Sequence, residues 1–127
     1  MATLDILLAE VRASGQAVTV RVNGDLSDAR TLSAQHQRTV YRVIQEGLTN
    51  ARKHAPSAAV TVDLGIEPEE AVTVAITNVM SPDGRDADGL GVGLTGLAER
   101  VAVDGGHLDH RIADGRFVLT ARILWEP

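Results

Sequence analysis

Val40-Tyr41-Arg42-Val43-Ile44-Gln45-Glu46-Gly47-Leu48-Thr49-Asn50-Ala51-Arg52-Lys53-His54 is the stretch on which the fold turns. At about 100° per residue, Val40, Ile44, Leu48 and Ala51 share one arc, which the spacing predicts to face a sheet. Glu46, Asn50 and Lys53 fall on the opposite arc, expected in solvent, with Arg42 and His54 at its edges. Ser33 is placed to cap this long helix, and Pro56 with Ala55 before it closes the other end. A carboxylate, an amide and an ammonium on successive turns suit a metal–phosphate group, the amide oxygen as a hard ligand for magnesium and the lysine as a point charge. The same trio also suits a plain solvated face with Arg42 paired to Glu46.

Working outward, Leu4, Ile6, Leu7, Leu8 and Val11 predict a short helix ending near Ser14-Gly15. Val18, Val20 and Val22 alternate with polar residues as a strand does, and residues 25–32 read as loop. After the long helix, Val60-Val62-Leu64 and Val72-Val74-Ile76 predict two strands joined by a turn at Glu67-Pro68-Glu69-Glu70. A second amphipathic helix starts near Gly93 and carries Leu94, Leu97, Val101 and Ala102 to Gly105-Gly106. Residues 108–112 and 117–124 then form a hairpin about Ala113-Asp114-Gly115. Strand runs joined by hairpins favour a two-layer α/β sandwich: a mixed, mainly antiparallel sheet with helices on one face.

The 127 residues match one domain spanning 1–127. No apolar run approaches the roughly 18 residues of a membrane-spanning helix, and no secretory leader is expected. The absence of cysteine rules out disulfides, zinc–thiolate sites and thiol catalysis. A net charge of -5 and only three aromatic residues, Tyr41, Phe117 and Trp125, argue against nucleic-acid binding. The expectation is an acidic, cytoplasmic domain that contacts neither nucleic acid nor membrane.

Five of the 12 glycines (Gly84, Gly89, Gly91, Gly93 and Gly96) fall within residues 84–96. Such clustering lets backbone amides approach an anion, and the loop leads to a helix N-terminus, where the dipole favours phosphate. Gly91-x-Gly93-x-x-Gly96 follows no strand directly, so a dinucleotide-binding βαβ unit is excluded, and a P-loop lysine is missing. An ordinary surface loop is the alternative.

Two segments together resemble the sensor histidine kinases. Gln45-Glu46-Gly47-Leu48-Thr49-Asn50-Ala51-Arg52-Lys53-His54-Ala55 is similar to their N-box. Gly91-Val92-Gly93-Leu94-Thr95-Gly96-Leu97-Ala98-Glu99-Arg100-Val101, followed by Gly105-Gly106-His107-Leu108, is similar to their second glycine box. Tyr41-Arg42 ahead of the first motif and the closing Leu124-Trp125-Glu126-Pro127 resemble the subfamily paired with helix-turn-helix response regulators. The resemblance implies a Bergerat ATP-binding fold, with ATP and Mg2+ between the long helix and a glycine-rich lid. It implies Asn50 as the magnesium ligand and Glu46 as the carboxylate that supports the metal or acts as base. Lys53 and His54 match the phosphate-facing end of the N-box. Gly91, Gly93 and Gly96, with Leu94 among them, match the lid whose amides hold the phosphates.

The family's first glycine box carries an aspartate after the central strand that accepts from the adenine amino group; here Asn78 stands there with no glycine beside it, and Asp83-Gly84 is the alternative contact. None of His36, His54, His107 or His110 sits in the helical pair that carries the family's phosphoacceptor histidine. The chain is therefore expected to be the C-terminal catalytic fragment of a longer kinase, whose full-length form has room for a membrane anchor. Its implied partners are the dimerisation domain bearing that histidine and, downstream, a response regulator. The rival readings are a stand-alone serine kinase of the anti-sigma type and a nucleotide-binding module whose site has decayed.

Overall fold

The structure, a computed structural model, describes residues 17–54, 59–79 and 92–125, together with Ala9 and Ala13. The helix predicted at residues 4–11 otherwise lies outside them, as does the glycine-rich loop over 80–91. The described elements are β1 (Val18–Asn23), a 3-10 turn (Leu26–Thr31), α1 (Ala34–His54), β2 (Val60–Glu67), β3 (Ala71–Val79), α2 (Val92–Val103), β4 (His107–Ala113) and β5 (Arg116–Leu124).

Local chemistry fixes most of these boundaries. The Ser33 carbonyl accepts from Gln37 N at 2.9 Å and its hydroxyl from His36 N at 3.2 Å, so Ser33 caps α1 as predicted. The segment expected as loop contains the 3-10 turn instead, because the Asp25 carboxylate accepts from Ser27 N at 2.9 Å and its carbonyl from Asp28 N at 3.0 Å. At the β4–β5 connection both Asp114 and Gly115 have positive φ, the backbone of a tight two-residue hairpin turn.

The sheet order is β1-β2-β3-β5-β4. β1 pairs parallel with β2 across α1, and the other three pairings are antiparallel. This is the mixed, mainly antiparallel sheet of the predicted α/β sandwich.

Alternation puts Val60, Val62, Leu64 and Ile66 of β2, Val72, Val74 and Ile76 of β3, and Phe117, Leu119, Ala121 and Ile123 of β5 on one buried face. Val40, Val43, Ile44, Leu48 and Ala51 of α1 and Leu94, Leu97 and Val101 of α2 close the core from above. The opposite strand positions, such as Thr61, Asp63, Thr73 and Thr120, are half-buried or exposed, so the fold has two layers.

β3 is the central strand and runs through Asn78, which pairs with Val60 on one side and Phe117 on the other. The strand expected over Val72–Ile76 continues to Val79, so Asn78 lies within the ladder rather than after it.

Candidate functional site

Gly47 lies directly against the Ile76 side chain, with no room for a Cβ. α1 therefore sits tightly over β3 near its end, and Asn50, three residues on from Gly47, is carried toward the strand end where Asn78 lies. α1 and α2 run antiparallel: Asp104, just after α2, contacts Gln35 and Thr39 near the start of α1, whereas Gly96 and Leu97 share a hollow with Arg42 and Glu46. The first turn of α2, which includes Gly93, thus faces the C-terminal half of α1. The described parts of three of the resemblance's segments lie on this side: the N-box, the end of β3 and, from Val92 onward, the second glycine box.

One expectation needs correction. Asn50 is not on a solvated arc; it is only 7% exposed. Seven residues separate it from Val43, about 20° on a helical wheel, and Val43 is fully buried. α1 packs on both the sheet and α2, so its buried sector is wider than a stripe facing one partner. The Asn50 Nδ2 atom is buried and has no hydrogen-bond partner among the described residues. A buried donor left this way costs about 1–3 kcal/mol, and a phosphate oxygen or metal-bound water would satisfy it. Its side chain also offers a carbonyl oxygen, the hard ligand type magnesium accepts. The residues present therefore fit a magnesium–phosphate group.

Glu46 is half-buried, one turn before Asn50, and lines a hollow of about 280 Å³ with Arg42, Gly96, Leu97 and Arg100. Among the described residues no Arg42–Glu46 ion pair is present. Lys53 is exposed in the last turn of α1, where a cation suits the helix dipole. The His54 side chain and Gly91 lie outside the described residues.

Asn78 is 5% exposed, and its Nδ2 donates to its neighbour's carbonyl, Val79 O, at 3.3 Å. That contact leaves the side-chain oxygen as the atom available to accept from a ligand. Asp83-Gly84 lies outside the described residues.

The second glycine box separates into parts. The Leu94 side chain belongs to the core, so its first-turn backbone N–H is the part of it placed to meet a ligand. Gly96 is in the second turn of α2, where its N–H is committed to the helix, so its amide does not reach a phosphate. A Cβ at Gly96 would meet nothing within 4 Å, and its φ is not in the left-handed region. Gly96→Ala is accordingly expected to stabilise the fold by about 1 kcal/mol, the helix-propensity difference. Thermal melts check this; a lower melting temperature would mean that the backbone at Gly96 is not simply helical.

Sequence reasoning missed Gln35, Thr39 and Asp104 altogether and treated His36 only as an unsuitable phosphoacceptor. The available signal was spacing: His36, Thr39, Val43 and Asn50 lie along one edge of the buried sector of α1.

No family model matches the chain. It is 36% identical over 104 residues to the signal transduction histidine-protein kinase/phosphatase UhpB of Salmonella typhimurium, covering 80% of this chain and 20% of that protein. The chain thus spans about a fifth of the length of the curated relative it matches. Among solved structures, the mycobacterial sensor histidine kinase MprB superposes with a TM-score of 0.65 at 22% identity, covering 99% of this chain and 94% of that one. The nucleotide-free catalytic domain of histidine kinase ThkA superposes with a TM-score of 0.67 at 12% identity, covering 99% and 91%. ThkA in complex with the response regulator TrrA also superposes, with a TM-score of 0.67 at 14% identity, covering 99% and 39%.

Proposed function

We propose that this chain, a sensor-histidine-kinase catalytic domain by fold and by sequence likeness, binds magnesium ATP at the C-terminal half of α1 and supplies the γ-phosphoryl group for two-component signalling. The observation that carries the reading is Asn50: a buried amide with a partnerless donor, at the convergence of the N-box, the end of β3 and the start of α2. Glu46, half-buried one turn earlier, holds metal-bound water or takes up a proton. Lys53 steers the phosphates from the exposed end of α1, and the first-turn N–H groups of Gly93 and Leu94 donate to phosphate oxygens.

Asn50 would hold a magnesium ion through its side-chain oxygen, and the ion would supply neutralisation of the phosphate charge. A histidine nitrogen of a separate dimerisation domain attacks the γ-phosphorus; a P–N bond forms as the bond to the β-phosphate oxygen breaks and ADP departs. This domain's share is positioning and electrostatic stabilisation, so little transfer is expected from it alone. A response regulator is the downstream partner, as in the ThkA complex. The domain belongs in the cytoplasm, where ATP is, as the catalytic part of a longer kinase; among the described residues no helix is long and apolar enough to cross a membrane.

Calorimetric titration with ADP, with magnesium and with chelator, tests the reading. Binding that needs magnesium is expected, and no binding under either condition sinks it.

Asn78 is proposed to read the adenine amino group through its side-chain oxygen. Asn78→Asp is expected to tighten adenosine nucleotides by about 1 kcal/mol, the difference between a neutral and a charged acceptor. Desolvating the carboxylate offsets part of that gain. Guanine presents a carbonyl to the same atom, so the variant's ATP-to-GTP preference should exceed the native one. Dissociation constants for both nucleotides decide it; an unchanged preference moves base recognition away from Asn78.

A further inference from the structure

Asp104 is a buried carboxylate, 6% exposed, immediately after the last residue of α2. Its position is electrostatically unfavourable, because the C-terminal end of a helix carries partial negative charge. The dipole does not recommend an acid there, and neither does the apolar core below it. What offsets the cost comes from the other helix. Asp104 accepts hydrogen bonds from the Gln35 side-chain amide and the Thr39 hydroxyl, and its Oδ1 lies 3.8 Å from His36 Nε2. His36 and Thr39 are both buried, and His36 Nδ1 has no partner among the described residues. Three side chains within the first turns of α1 thus converge on one atom group at the end of α2.

We propose that Asp104 is a positioning residue: it pins the C-terminal end of α2 to the start of α1 and so sets where the other end of α2 meets the nucleotide site. This rests on the nucleotide-binding reading above. α2 has 12 residues and is about 18 Å long, so a small rotation about one end moves its first turn by several ångströms. The apolar contacts of Leu94, Leu97 and Val101 hold α2 down but tolerate sliding, whereas a carboxylate with fixed donors specifies one register. Polar groups buried at a stability cost are retained in some proteins for such specificity.

The test replaces the cluster with apolar groups of similar size: His36→Leu, Thr39→Val and Asp104→Leu together in the 127-residue chain. Because the chain has no cysteine, Arg52→Cys and Glu99→Cys, both exposed positions, allow specific spin labelling across α1 and α2. In the triple variant the melting temperature should stay level or rise, the label distance distribution should shift or broaden, and the affinity for magnesium-ADP should fall about tenfold. Thr39→Ser, which keeps the hydroxyl, should keep the native distance and affinity. If the triple variant does not fold, Asp104→Asn should give a smaller change in the same two readouts. An unchanged distance distribution overturns the proposal, and so does a changed distribution with native affinity. If the native chain binds no nucleotide, the function reading fails separately, and the distance measurement still decides the role of Asp104.

Discussion

Asn50→Ala abolishes magnesium-dependent nucleotide binding while the melting temperature stays within a few degrees of native. The two halves of this expectation have different causes. Asn50 is buried with its Nδ2 unpaired, so in the free protein it contributes a desolvation penalty of about 1–3 kcal/mol. Truncation removes that penalty together with the packing of the amide, and the two changes largely offset each other. Binding has no such compensation. Glu46 lies a turn away on a less buried position, and Lys53 is exposed, so neither takes over a ligand at the point Asn50 occupies. A loss of about a hundredfold or more, roughly 2.7 kcal/mol, is expected. Asn50→Leu sharpens the contrast: an apolar side chain in a buried slot should raise stability and still lose binding, the trade-off of a site residue. Titration with and without chelator, beside thermal melts, reads both halves. Native affinity with native magnesium dependence in Asn50→Ala would remove the metal role from this residue.

The burial that makes Asn50 informative was not legible in the sequence. Periodicity identified the sheet-facing stripe Val40, Ile44, Leu48 and Ala51 correctly, because one flat partner imposes one arc. The second partner of α1 is α2, which begins 38 residues after α1 ends; nothing local to α1 announces that Thr39, Val43 and Asn50 are covered as well. The parallel pairing of β1 with β2 was hidden for the same reason, since it crosses α1, whereas β2–β3 and β4–β5 were readable from their turns. Asp104 and Thr39 are 65 positions apart, and their hydrogen bond leaves no pattern in either neighbourhood. The capping role of Ser33 and the Asp114-Gly115 turn, by contrast, are decided within a few residues, and there the sequence reading and the structure agree.

The glycines of the second box show the same limit, since one letter covers three physical situations. Gly96 has open space and helical backbone; Gly105 has φ of +77° and ends α2, its N–H donating to Ala102 O at 3.0 Å. Gly106 is held by its N–H to Val101 O at 2.9 Å, and a Cβ there would collide with the carbonyl oxygen of Arg122. The same Cβ would lie 2.9 Å from Val101 Cγ1 and 3.2 Å from Ile123 Cα. None of these can yield easily. Arg122 is paired with Thr73 of β3 and His107 of β4, so β5 is held from both sides, and Val101 is fully buried. Overpacking costs about 1–3 kcal/mol where side chains can adjust, and backbone atoms clamped in a sheet put Gly106→Val at about 3 kcal/mol or more. For a domain of this size that is a fall in melting temperature of roughly 10 °C. Gly105→Ala separates close approach from backbone conformation: its Cβ meets only Leu124 Cδ1 at an ordinary 3.6 Å, so it should cost only the left-handed φ, about 1–2 kcal/mol. If Gly106→Val melts no lower than Gly105→Ala, the end of α2 is not clamped against β5, and the register of α2 over the nucleotide site must be set by Asp104 alone.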